Sequence, residues 1–512
     1  MNDVVYSPRY GDIVKFSSTM SALRPELIVE WLKRVQTVVA ERHLPCYIVG
    51  GLIRDQLLQR PLRSLNVDLA VPSGALELSR VLAGRLHGAF VPLDEAVGTG
   101  RVVIESAQKE RLELDISDFR GATLEEDLRR RDFTINAMAV ELQDWLRDPH
   151  QLHSIIDPLG GRRALQARQL IACFPETFAE DPIRLLRAFR FSAQLAFAVS
   201  SDAVPLMRDA ANQLARVSSE RVRDELLLIF DTDDAAPAIA SLNALGILDV
   251  IIPELIPGRG MSQGDFHHLD VLGHQLETIV QSDRFLKDFA EFSEPLRAPM
   301  TSYCAEQLVE RRSRKSLIKL AGLLHDVGKP ARRTVEADGE IWFLGHEENG
   351  AVLARGVVER LRLSNRETDM VCQLVLHHLR PGFLSREPQL TRRAVYRFFR
   401  DLGEDGPGCL LTWWADRMAT RGSKSRLDQI DQQRDRLEEL LRAYFFQAEE
   451  VVKPPRLVDG HQLMQLFQLP SGPVIGTLLA AIEEAQAEGR VQTAEEALAL
   501  ARQMLQQQAE GM

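Results

Sequence analysis

The sequence has no run of apolar residues long enough to cross a membrane. A membrane-spanning helix needs roughly 20 predominantly apolar residues in a row, and no segment of the 512-residue chain approaches that length. The first residues, Met1–Tyr6, also lack the basic region and following apolar region of a secretory leader. We therefore expect a cytoplasmic protein that does not insert into membranes.

Cysteine is scarce and is not spaced for metal or disulfide chemistry. The chain has 5 cysteines, an odd number, and none belongs to a Cys-x-x-Cys pair. Scattered cysteines of this kind predict reduced core residues rather than a disulfide framework or a zinc site. They are Cys46, Cys173, Cys304, Cys372 and Cys409.

Net positive charge is also absent, since the formal net charge is -11. An acidic protein is not the usual partner of nucleic acid. Three local basic clusters, at residues 129–131, 311–315 and 421–426, qualify that argument. Each cluster could contact phosphates, and each could equally be an ordinary solvated surface.

Length and periodicity predict several domains. A chain of 512 residues is long enough for three or four. Helical patterns alternate with short apolar runs from residue 23 to 155, and the runs predict strands at 47–49, 67–71, 102–104 and 112–116. After residue 161 the apolar spacing becomes helical, and breaks rich in Pro and Gly follow at 252–260 and 453–455. The sequence thus predicts four domains, at residues 23–155, 156–255, 256–450 and 451–512.

Two adjacent glycines, Gly50 and Gly51, follow the first predicted strand. Glycines let the backbone approach a polyphosphate closely and offer it N–H groups. Arg54, one turn later, could add guanidinium donors to the phosphates. Taken alone, a Gly-Gly pair is more often a plain turn.

Acidic residues on nearby strands add weight to the phosphate interpretation. The alternation of a strand sends residues 66 and 68 to the same side, and Asp115 ends another apolar run. Asp68, Asp115 and a third ligand could hold two Mg²⁺ ions about 4 Å apart, one activating a hydroxyl and one bound to a triphosphate. The alternative is that both aspartates are ordinary exposed residues at a sheet edge.

Five motifs occur in an order that resembles a known family. They are Gly50-Gly51-x-x-Arg54-Asp55, Val67-Asp68-Leu-Ala70, Arg130-Arg131-Asp132-Phe-Thr-Ile-Asn136-Ala-Met-Ala139, Glu180-Asp181-Pro-Ile-Arg184-Leu-Leu-Arg187-Ala-Phe-Arg-Phe191 and Ser219-Glu-Arg221-Val-Arg-Asp-Glu225-Leu226. Across residues 25 to 255 the chain resembles the bacterial tRNA nucleotidyltransferase and poly(A) polymerase family, the class II CCA-adding enzymes. The resemblance implies an α+β, polymerase-β-like nucleotidyltransferase head followed by an all-α neck and body.

The resemblance also implies the roles of particular residues. The head would bind ATP and CTP, use Mg²⁺ held by the catalytic Asp68 and Asp115, and act on the 3′ end of tRNA or another RNA. The implied nucleotide-binding residues are Gly50, Gly51, Arg54, Arg131, Asp132, Asn136, Asp181, Arg184 and Arg187.

Asp181 and Arg184 have a structural and a functional interpretation. Pro182 suits the first position of a helix, which would make Asp181 its N-cap. The resemblance implies instead that Asp181 and Arg184 read the incoming base. Cytosine and adenine both present an amino donor beside a ring-nitrogen acceptor, which a carboxylate and a guanidinium complement. Uracil and guanine present the reverse pattern, and such a mismatch can reject a base by roughly 10⁴-fold.

Asn66 departs from the family pattern, which has an aspartate at this position. An amide oxygen can ligate Mg²⁺ but brings no charge, and loss of such a contact typically costs about 3 to 4 kcal/mol, or roughly 10² to 10³ in rate. Three outcomes follow from the sequence: a slow enzyme, a relocated carboxylate such as Glu113 or Asp118, or a head that binds nucleotide without reacting.

Histidines concentrate in the third region. Of the 12 histidines, seven lie between His267 and His378, and His325-Asp326 follows an apolar run. Imidazole beside carboxylate suits a divalent transition metal. The order resembles the HD phosphohydrolase superfamily, whose extended ligand set could hold two metals and acidify a water that attacks a phosphoester. His325 and Asp326 would be catalytic, and the implied ligands are His274, His325, Asp326, His346, His377, His378 and Asp416. Lys329 would stabilise phosphate charge or cap a helix end.

The sequence therefore predicts an enzyme with two activities, in which a head adds CMP and AMP to a tRNA 3′ end and a helical HD domain hydrolyses a phosphoester. A 2′,3′-cyclic phosphate on damaged RNA is one candidate substrate. The alternatives are a poly(A) polymerase, an enzyme that adds only A or only CC, and a phosphohydrolase whose degenerate head only binds nucleotide or RNA. Asn66 favours the last of these. Residues 456–512 form a helical C-terminal tail that resembles the end of some longer family members.

Overall fold

The computed structural model describes residues 25–61, 65–105, 111–149, 152 and 154–510. The predicted domain start at residue 23, the segment Met1–Tyr6 and the last two residues lie outside this range. The chain forms two compact units, one running to Val217 with Ser241–Val250, the other containing Ser218–Ala240 and the chain from Ile251 onward. Within the described part, no helix is long and apolar enough to span a membrane.

The first unit contains a six-stranded sheet with the strand order β3-β4-β5-β2-β1-β6. Its strands are β1 Tyr47–Val49, β2 Leu65–Val71, β3 Ala89–Asp94, β4 Thr99–Glu105, β5 Arg111–Asp118 and β6 Ala139–Glu141. Among the neighbouring strands described, β2 and β5 pair in parallel and the other pairs are antiparallel. The central parallel pair therefore brings two segments that are distant in sequence into direct register.

The four predicted strands are confirmed as β1, β2, β4 and β5, but β3 and β6 were missed. β3 is largely exposed at the sheet edge and contains Pro92, so it lacks the apolar alternation of a buried strand. Val67, Leu69 and Val71 of β2 are fully buried. Their burial fixes which face of the strand Asn66 and Asp68 occupy.

Helices and one small strand pair complete this part of the chain. The helices are α1 Pro25–Glu41, α2 Gly51–Leu57, α3 Ala75–Leu86, α4 Leu124–Arg129, α5 Leu142–Arg147, α6 Gly161–Ala167, α7 Thr177–Glu180, α8 Arg184–Leu195 and α9 Ala203–Ala210. Two 3-10 helices lie at Thr134–Asn136 and Ala211–Arg216. The expectation that strands end near residue 161 is corrected by the short parallel pair β7 Gln169–Leu170 and β8 Ala198–Val199.

The second unit is mainly helical. It begins with α10 Ser219–Phe230, while α11 Ala236–Ala244 and α12 Ile247–Ile251 have residues in both units. The remaining helices are α13 Val271–Leu286, α14 Glu294–Ala305, α15 Arg314–Leu324, α16 Lys329–Arg332, α17 His346–Arg360, α18 Asn365–His377, α19 Arg380–Leu384, α20 Arg392–Leu402, α21 Gly406–Ala419, α22 Ile430–Phe446, α23 Gly460–Phe467, α24 Pro473–Ala487 and α25 Ala494–Glu510. Two hairpins interrupt them, formed by β9 Gln307–Val309 with β10 Arg312–Ser313 and by β11 Thr334–Val335 with β12 Ile341–Trp342.

The mixed head, the helical body and the helical third region confirm the predicted fold class. The central helix α15 packs against α13, α18 and α21, and Leu317, Leu320, Leu323 and Leu324 of α15 are fully buried. Helices α23 to α25 share a separate hydrophobic core that includes Leu463. The cysteines are all unpaired and four of the five are buried, as predicted.

Candidate active sites

The parallel pairing of β2 and β5 places Asp68 directly beside Asp115. The two residues are Cα partners in the register of the strands, so both side chains project from the same face. Burial, and then the negative charge of Asp115, raise the pKa of Asp68 to about 6, although Arg131, Arg187 and Arg54 oppose the shift. A cation bound beside Asp68 would stabilise the ionised carboxylate that burial and the Asp115 charge disfavour.

Gly50 forms the turn against which this pair packs. Its φ is +75°, and a Cβ at this position would lie 3.0 Å from Oδ2 of Asp68. Glycine is needed here both for the left-handed backbone and for the close approach of the carboxylate. Gly51 is different, because a Cβ there would make an ordinary contact of 3.6 Å with Nη2 of Arg54.

A chain of polar contacts links the predicted nucleotide-binding residues to one another. Arg54 Nη1 donates to Asn136 Oδ1 (2.8 Å), and Asn136 Nδ2 donates to Asp132 Oδ1 (3.2 Å). Arg187 donates through Nε (2.9 Å) and Nη2 (2.7 Å) to Asp132 Oδ2. Burial raises the pKa of Asp132, but Arg187 and the hydrogen bonds outweigh it and hold this pKa well below its ordinary value.

Phe191 is a part of this site that the sequence interpretation did not assign. Its ring packs against the guanidinium carbons of Arg54, Arg187 and Arg190, at 5.1, 5.5 and 4.1 Å from the ring centroid. Arg187 and Phe191 are four residues apart on α8, which is the spacing that could have revealed this contact. The ring acts as an apolar support that fixes the orientation of cationic side chains.

Arg131, in the segment that follows α4, reaches the glycine turn. Its Nε and Nη2 donate to Oδ2 of the buried Asp127 (3.0 and 2.9 Å). Its Nη1 lies 3.9 Å from the position of a Cβ on Gly50. The structure therefore groups Arg131 with Asp68, Gly50 and the Arg54 network.

The structure corrects the prediction that Asp181 is the N-cap of a helix. Asp181 follows the last residue of α7, and α8 begins at Arg184, so Asp181 is not the N-cap of that helix. Its backbone carbonyl instead accepts from the Arg184 N–H (3.0 Å) in the turn that joins the helices. The Arg184 side chain is buried, donating to the carbonyl oxygens of Arg130 (3.0 Å) and Thr177 (3.3 Å).

Asn66 lies opposite Glu113 in the same register that pairs the two aspartates. Glu113 is 3% exposed and forms ion pairs with Arg101 Nη1 and Arg111 Nη2, both at 3.0 Å. Asp118 stands an odd number of residues from Asp115 and thus faces the other side of the sheet, where it accepts the N–H of Ala75 (2.7 Å). Of the two relocated carboxylates that the sequence allowed, only Glu113 shares a face with Asn66.

A second site lies in the helical unit, where six of the predicted metal ligands converge. One group contains His274, His325 and Asp416, and the other contains Asp326, His346 and His378. Within each group, one candidate ligand atom per residue lies within 4.8 Å of the others. They come from α13, the ends of α15 and α18, the start of α17, and α21.

Asp326 stands between the two groups. Its Oδ2 is 3.1 Å from His325 Nε2 and 3.7 Å from His274 Nε2. Its Oδ1 is 3.3 Å from His346 Nε2 and 3.8 Å from His378 Nε2. Each carboxylate oxygen therefore serves one group.

Backbone carbonyls orient three of the imidazoles in the same way. Nδ1 of His325, His346 and His378 contacts the carbonyl oxygen three residues earlier, at 2.8, 2.8 and 2.7 Å. A proton on each Nδ1 leaves an unprotonated Nε2 directed inward, which is the tautomer that ligates metals. The Nε2 atoms of His346 and His378 lie 3.3 Å apart, and His325 Nε2 is buried without a hydrogen-bond partner.

These donors fit a divalent transition metal. Two unprotonated nitrogens in contact repel each other unless a cation lies between them, and imidazole with carboxylate is a donor set for Zn, Fe, Ni or Mn. Burial lowers the pKa of His274 and lowers that of His378 to about 3, which favours the neutral, ligating forms of these two. Burial also opposes a charge on His325, but Asp326 and Asp416 raise its pKa to about 10, so this imidazole holds a positive charge where a metal cation would replace its proton. The predicted metal chemistry of this region therefore agrees with the residues present.

His377 does not join this cluster, which corrects the prediction that counted it among the ligands. It is partly exposed, whereas the neighbouring His378 is buried in the second group. Consecutive side chains on a helix point in directions about 100° apart, so both histidines cannot face one centre.

Lys329 and Gln263 lie beside the metal cluster. Lys329 Nζ is 2.6 Å from Asp326 Oδ2 and donates to Gln263 Oε1 (2.7 Å). The charged end of Lys329 therefore contacts the metal-cluster residue Asp326 rather than capping a helix. Nothing in the sequence pattern pointed to Gln263, which is distant in the chain from Asp326.

Two of the basic clusters are paired with acids of the same unit. Arg314 is 2% exposed and pairs with Glu306 and Asp405, while Lys315 pairs with Asp233. In the 421–426 cluster, Lys424 pairs with Glu340. These contacts give both clusters a structural role.

Comparison with protein-family models finds three matches along the chain. They are the poly A polymerase head domain at residues 46–171, a probable RNA and SrmB-binding site of polymerase A at 196–258, and the HD domain at 299–403.

Curated relatives match most of the chain. The A-adding tRNA nucleotidyltransferase of Deinococcus radiodurans is 36% identical over 88% of this chain and 94% of the relative. The CC-adding tRNA nucleotidyltransferase of Thermus thermophilus is 33% identical, covering 88% of this chain and 92% of the relative.

Solved structures share the fold. A CCA-adding enzyme in apo form I matches with a TM-score of 0.60 at 19% identity, covering 93% of this chain and 94% of that chain. The Thermotoga maritima CCA-adding enzyme complexed with tRNA matches with a TM-score of 0.59 at 20% identity, covering 94% and 97%. The order of motifs, the matched models and the relatives agree, and the chain belongs to the tRNA nucleotidyltransferase and poly(A) polymerase family of enzymes, with an HD domain.

Proposed function

We propose that the head transfers CMP and AMP from CTP and ATP to the 3′ end of tRNA, with Asp68 and Asp115 as its catalytic metal-binding residues. The observation that carries the proposal is the in-register pairing of Asp68 with Asp115 against the Gly50 turn. Mg²⁺ bound there would activate the attacking 3′-hydroxyl and neutralise the triphosphate.

The other residues of the head would hold the nucleotide. Gly50 and Gly51 leave room for the polyphosphate, and Arg54, Arg131 and Arg187 supply positive charge around Asp68, as their effect on its pKa reflects. Asp132 and Asn136 would fix the arginines rather than contact phosphate, since both are buried within the hydrogen-bond chain.

We further propose that Asp181 and Arg184 select the base. The Arg184 guanidinium is held by backbone carbonyls on either side, so its remaining donors have a fixed direction. A guanidinium fixed in this way, together with the Asp181 carboxylate from the turn before α8, would match the edge shared by cytosine and adenine.

An incorporation assay tests the transfer proposal and identifies the product. Wild-type protein would be incubated with Mg²⁺ and tRNA that lacks its last three nucleotides, or only its last one, with each labelled triphosphate alone and both together. Addition of CC and then A establishes complete CCA synthesis. A product of only A or only CC would place the chain with the A-adding or CC-adding relatives, and a long A tract would identify a poly(A) polymerase.

The second candidate is a head that binds nucleotide but does not transfer it. Asn66 favours this candidate, because it brings no negative charge to the site of Asp68 and Asp115. Arg101 also favours it, because its guanidinium donates to both carboxylate oxygens of Asp115 (2.7 and 2.8 Å). No incorporation by the wild type, with incorporation by Asn66→Asp, would establish it.

The helical unit is proposed to be a metal-dependent phosphohydrolase. His274, His325, Asp326, His346, His378 and Asp416 would hold a divalent transition metal that acidifies a water and polarises a phosphoester. Lys329, fixed by Gln263, supplies a positive charge next to Asp326 and would face the phosphate. The candidate substrate is a 2′,3′-cyclic phosphate on RNA.

Hydrolysis can be separated from transfer by one variant. His325→Ala is expected to abolish hydrolysis of a 2′,3′-cyclic nucleotide to the nucleoside monophosphate, without change in CTP incorporation. Loss of both activities, or of neither, would refute the assignment of hydrolysis to this cluster. The division of the chain at residues 23–155, 156–255, 256–450 and 451–512 is part of the proposal, and the HD match at 299–403 supports its third segment.

A further inference from the structure

The side chain of Asn66 brings no charge to the strand face that carries Asp68. Its Oδ1 is buried and has no hydrogen-bond partner among the described residues. Such an atom is costly to bury unless something else occupies its lone pairs. It is two residues from Asp68 and on the same strand face, so its free oxygen belongs to the proposed cation site.

Glu113 occupies the position across the strand pair from Asn66. The register of β2 and β5 pairs Asn66 with Glu113 and Asp68 with Asp115, so the four side chains form a square on one face of the sheet. The uncharged amide is therefore on β2, and an additional acid lies directly across from it on β5.

Arg101 connects Glu113 to the catalytic pair. It stands opposite Asp115 in the register of β4 and β5. Its Nε and Nη2 donate to the Asp115 oxygens (2.7 and 2.8 Å), and its Nη1 is 3.0 Å from Glu113 Oε2. Glu113 also binds Arg111 Nη2 at 3.0 Å.

The formal charges show what Glu113 contributes. Asp68, Asp115 and Glu113 carry three negative charges, and Arg101 and Arg111 carry two positive charges. Glu113 makes this group one charge more negative than it would be without it. The positive charge of Arg54, Arg131 and Arg187 around Asp68 is the same in both cases, so the arrangement with Glu113 attracts a divalent cation more strongly.

We propose that Glu113 is the positioning residue that replaces the charge missing at Asn66, acting through Arg101. Glu113 offsets the positive charge that Arg101 brings to Asp115, so that the guanidinium repels a cation at Asp68 and Asp115 less strongly. This inference rests on the proposed transfer function of the head. It adds a residue that acts on the cation site without being one of its ligands.

The experiment measures binding rather than turnover. A non-hydrolysable α,β-methylene analogue of CTP would be titrated into the full chain by calorimetry without RNA, over a range of Mg²⁺ concentrations. The readout is the Mg²⁺ concentration that gives half-maximal analogue binding. Asp68→Asn provides the blank for the head site.

Glu113→Gln is expected to raise that Mg²⁺ concentration roughly tenfold or more, because it removes one negative charge beside the cation site. Asn66→Asp in the same chain should restore the wild-type value. Asp118→Asn removes an equal charge from the opposite face of β5 and should leave the value unchanged. Equal behaviour of Glu113→Gln and Asp118→Asn would overturn the inference.

Arg111→Gln is a second test of Glu113, and it remains usable if Glu113→Gln does not fold. Arg111 is 45% exposed at its side chain, so this variant is structurally mild. It frees the charge of Glu113 and should lower the Mg²⁺ requirement several-fold, whereas no change or a rise would overturn the inference. Failure of the wild type to show Mg²⁺-dependent binding that Asp68→Asn abolishes would refute the proposed transfer function itself.

Discussion

The carboxylate of Asp68 lies against the backbone of Gly50, with Oδ2 only 3.0 Å from the position that a Cβ would take. The glycine turn and the acidic strand are thus fitted to each other at the point where the proposed cation and triphosphate meet.

Gly50→Ala is expected to abolish nucleotide incorporation nearly completely, by roughly 10²-fold or more, because the methyl group displaces Asp68. The left-handed backbone, at φ +75°, should add a loss of about 1 to 2 kcal/mol in the free energy of unfolding. Incorporation rates and thermal melting measure the two effects. Gly74→Ala is the matched control, because Gly74 has a φ of +83° but no atom within 4 Å of its Cβ position. An equal loss of incorporation in that variant would contradict the explanation.

Asp68→Asn is expected to stabilise the fold while it removes transfer activity. Burial raises the pKa of Asp68 from 3.8 to about 6, so the folded state binds this proton more tightly than the unfolded state. Unfolding free energy therefore falls as pH rises through that window, and the full penalty is present above pH 6. The variant should be more stable by about 3 kcal/mol at neutral pH, and the difference should vanish below about pH 4.

Denaturant unfolding at several pH values measures this difference. Asp118→Asn should instead destabilise the protein, because it keeps an acceptor for the N–H of Ala75 but removes the negative charge at the start of α3. A gain in stability that is independent of pH would contradict the role of the Asp68 charge.

Phe191→Leu is expected to raise the KM for CTP and ATP several-fold, since the ring supports Arg54, Arg187 and Arg190. Contacts of this kind are worth about 0.5 to 2 kcal/mol each. Steady-state incorporation with each triphosphate provides the measurement. Phe189→Leu, equally buried on α8, should lower stability by a similar amount without the change in KM.

His378→Ala should reduce the metal content of the purified protein and abolish phosphoester hydrolysis. A metal ligand should matter more than the residues that merely orient ligands, whose loss costs about 10 to 100-fold in affinity. His377→Ala, one residue away and outside the cluster, should keep both properties. Elemental analysis and hydrolysis assays compare the variants, and equal metal loss in the two would show that the ligand assignment is wrong.

The local features of the head were readable because they depend on neighbours in sequence. Short apolar runs predicted β1, β2, β4 and β5. β3 is an exposed edge strand that contains Pro92, and it has no such run. The same limit applied at Asp181, where a Pro in the next position suggested a helix start but the backbone ends α7 instead.

The identity of the metal-binding histidines was mostly predictable, but their grouping was not. His377 and His378 are adjacent in the sequence, so both were predicted as ligands. The orientation of α18 about its axis directs only His378 toward the cluster. Gln263 had no recognisable pattern, because its role depends on a fold that carries it to Lys329.

The order of motifs, the family and the charge missing at Asn66 could be read from residue types and their neighbours in the chain. The position of Glu113 opposite Asn66, with Asp118 facing away, required the folded sheet. The physical reason is strand register: a shift of one residue reverses every side chain of a strand, and packing across the parallel pair, not the local sequence, fixes that register.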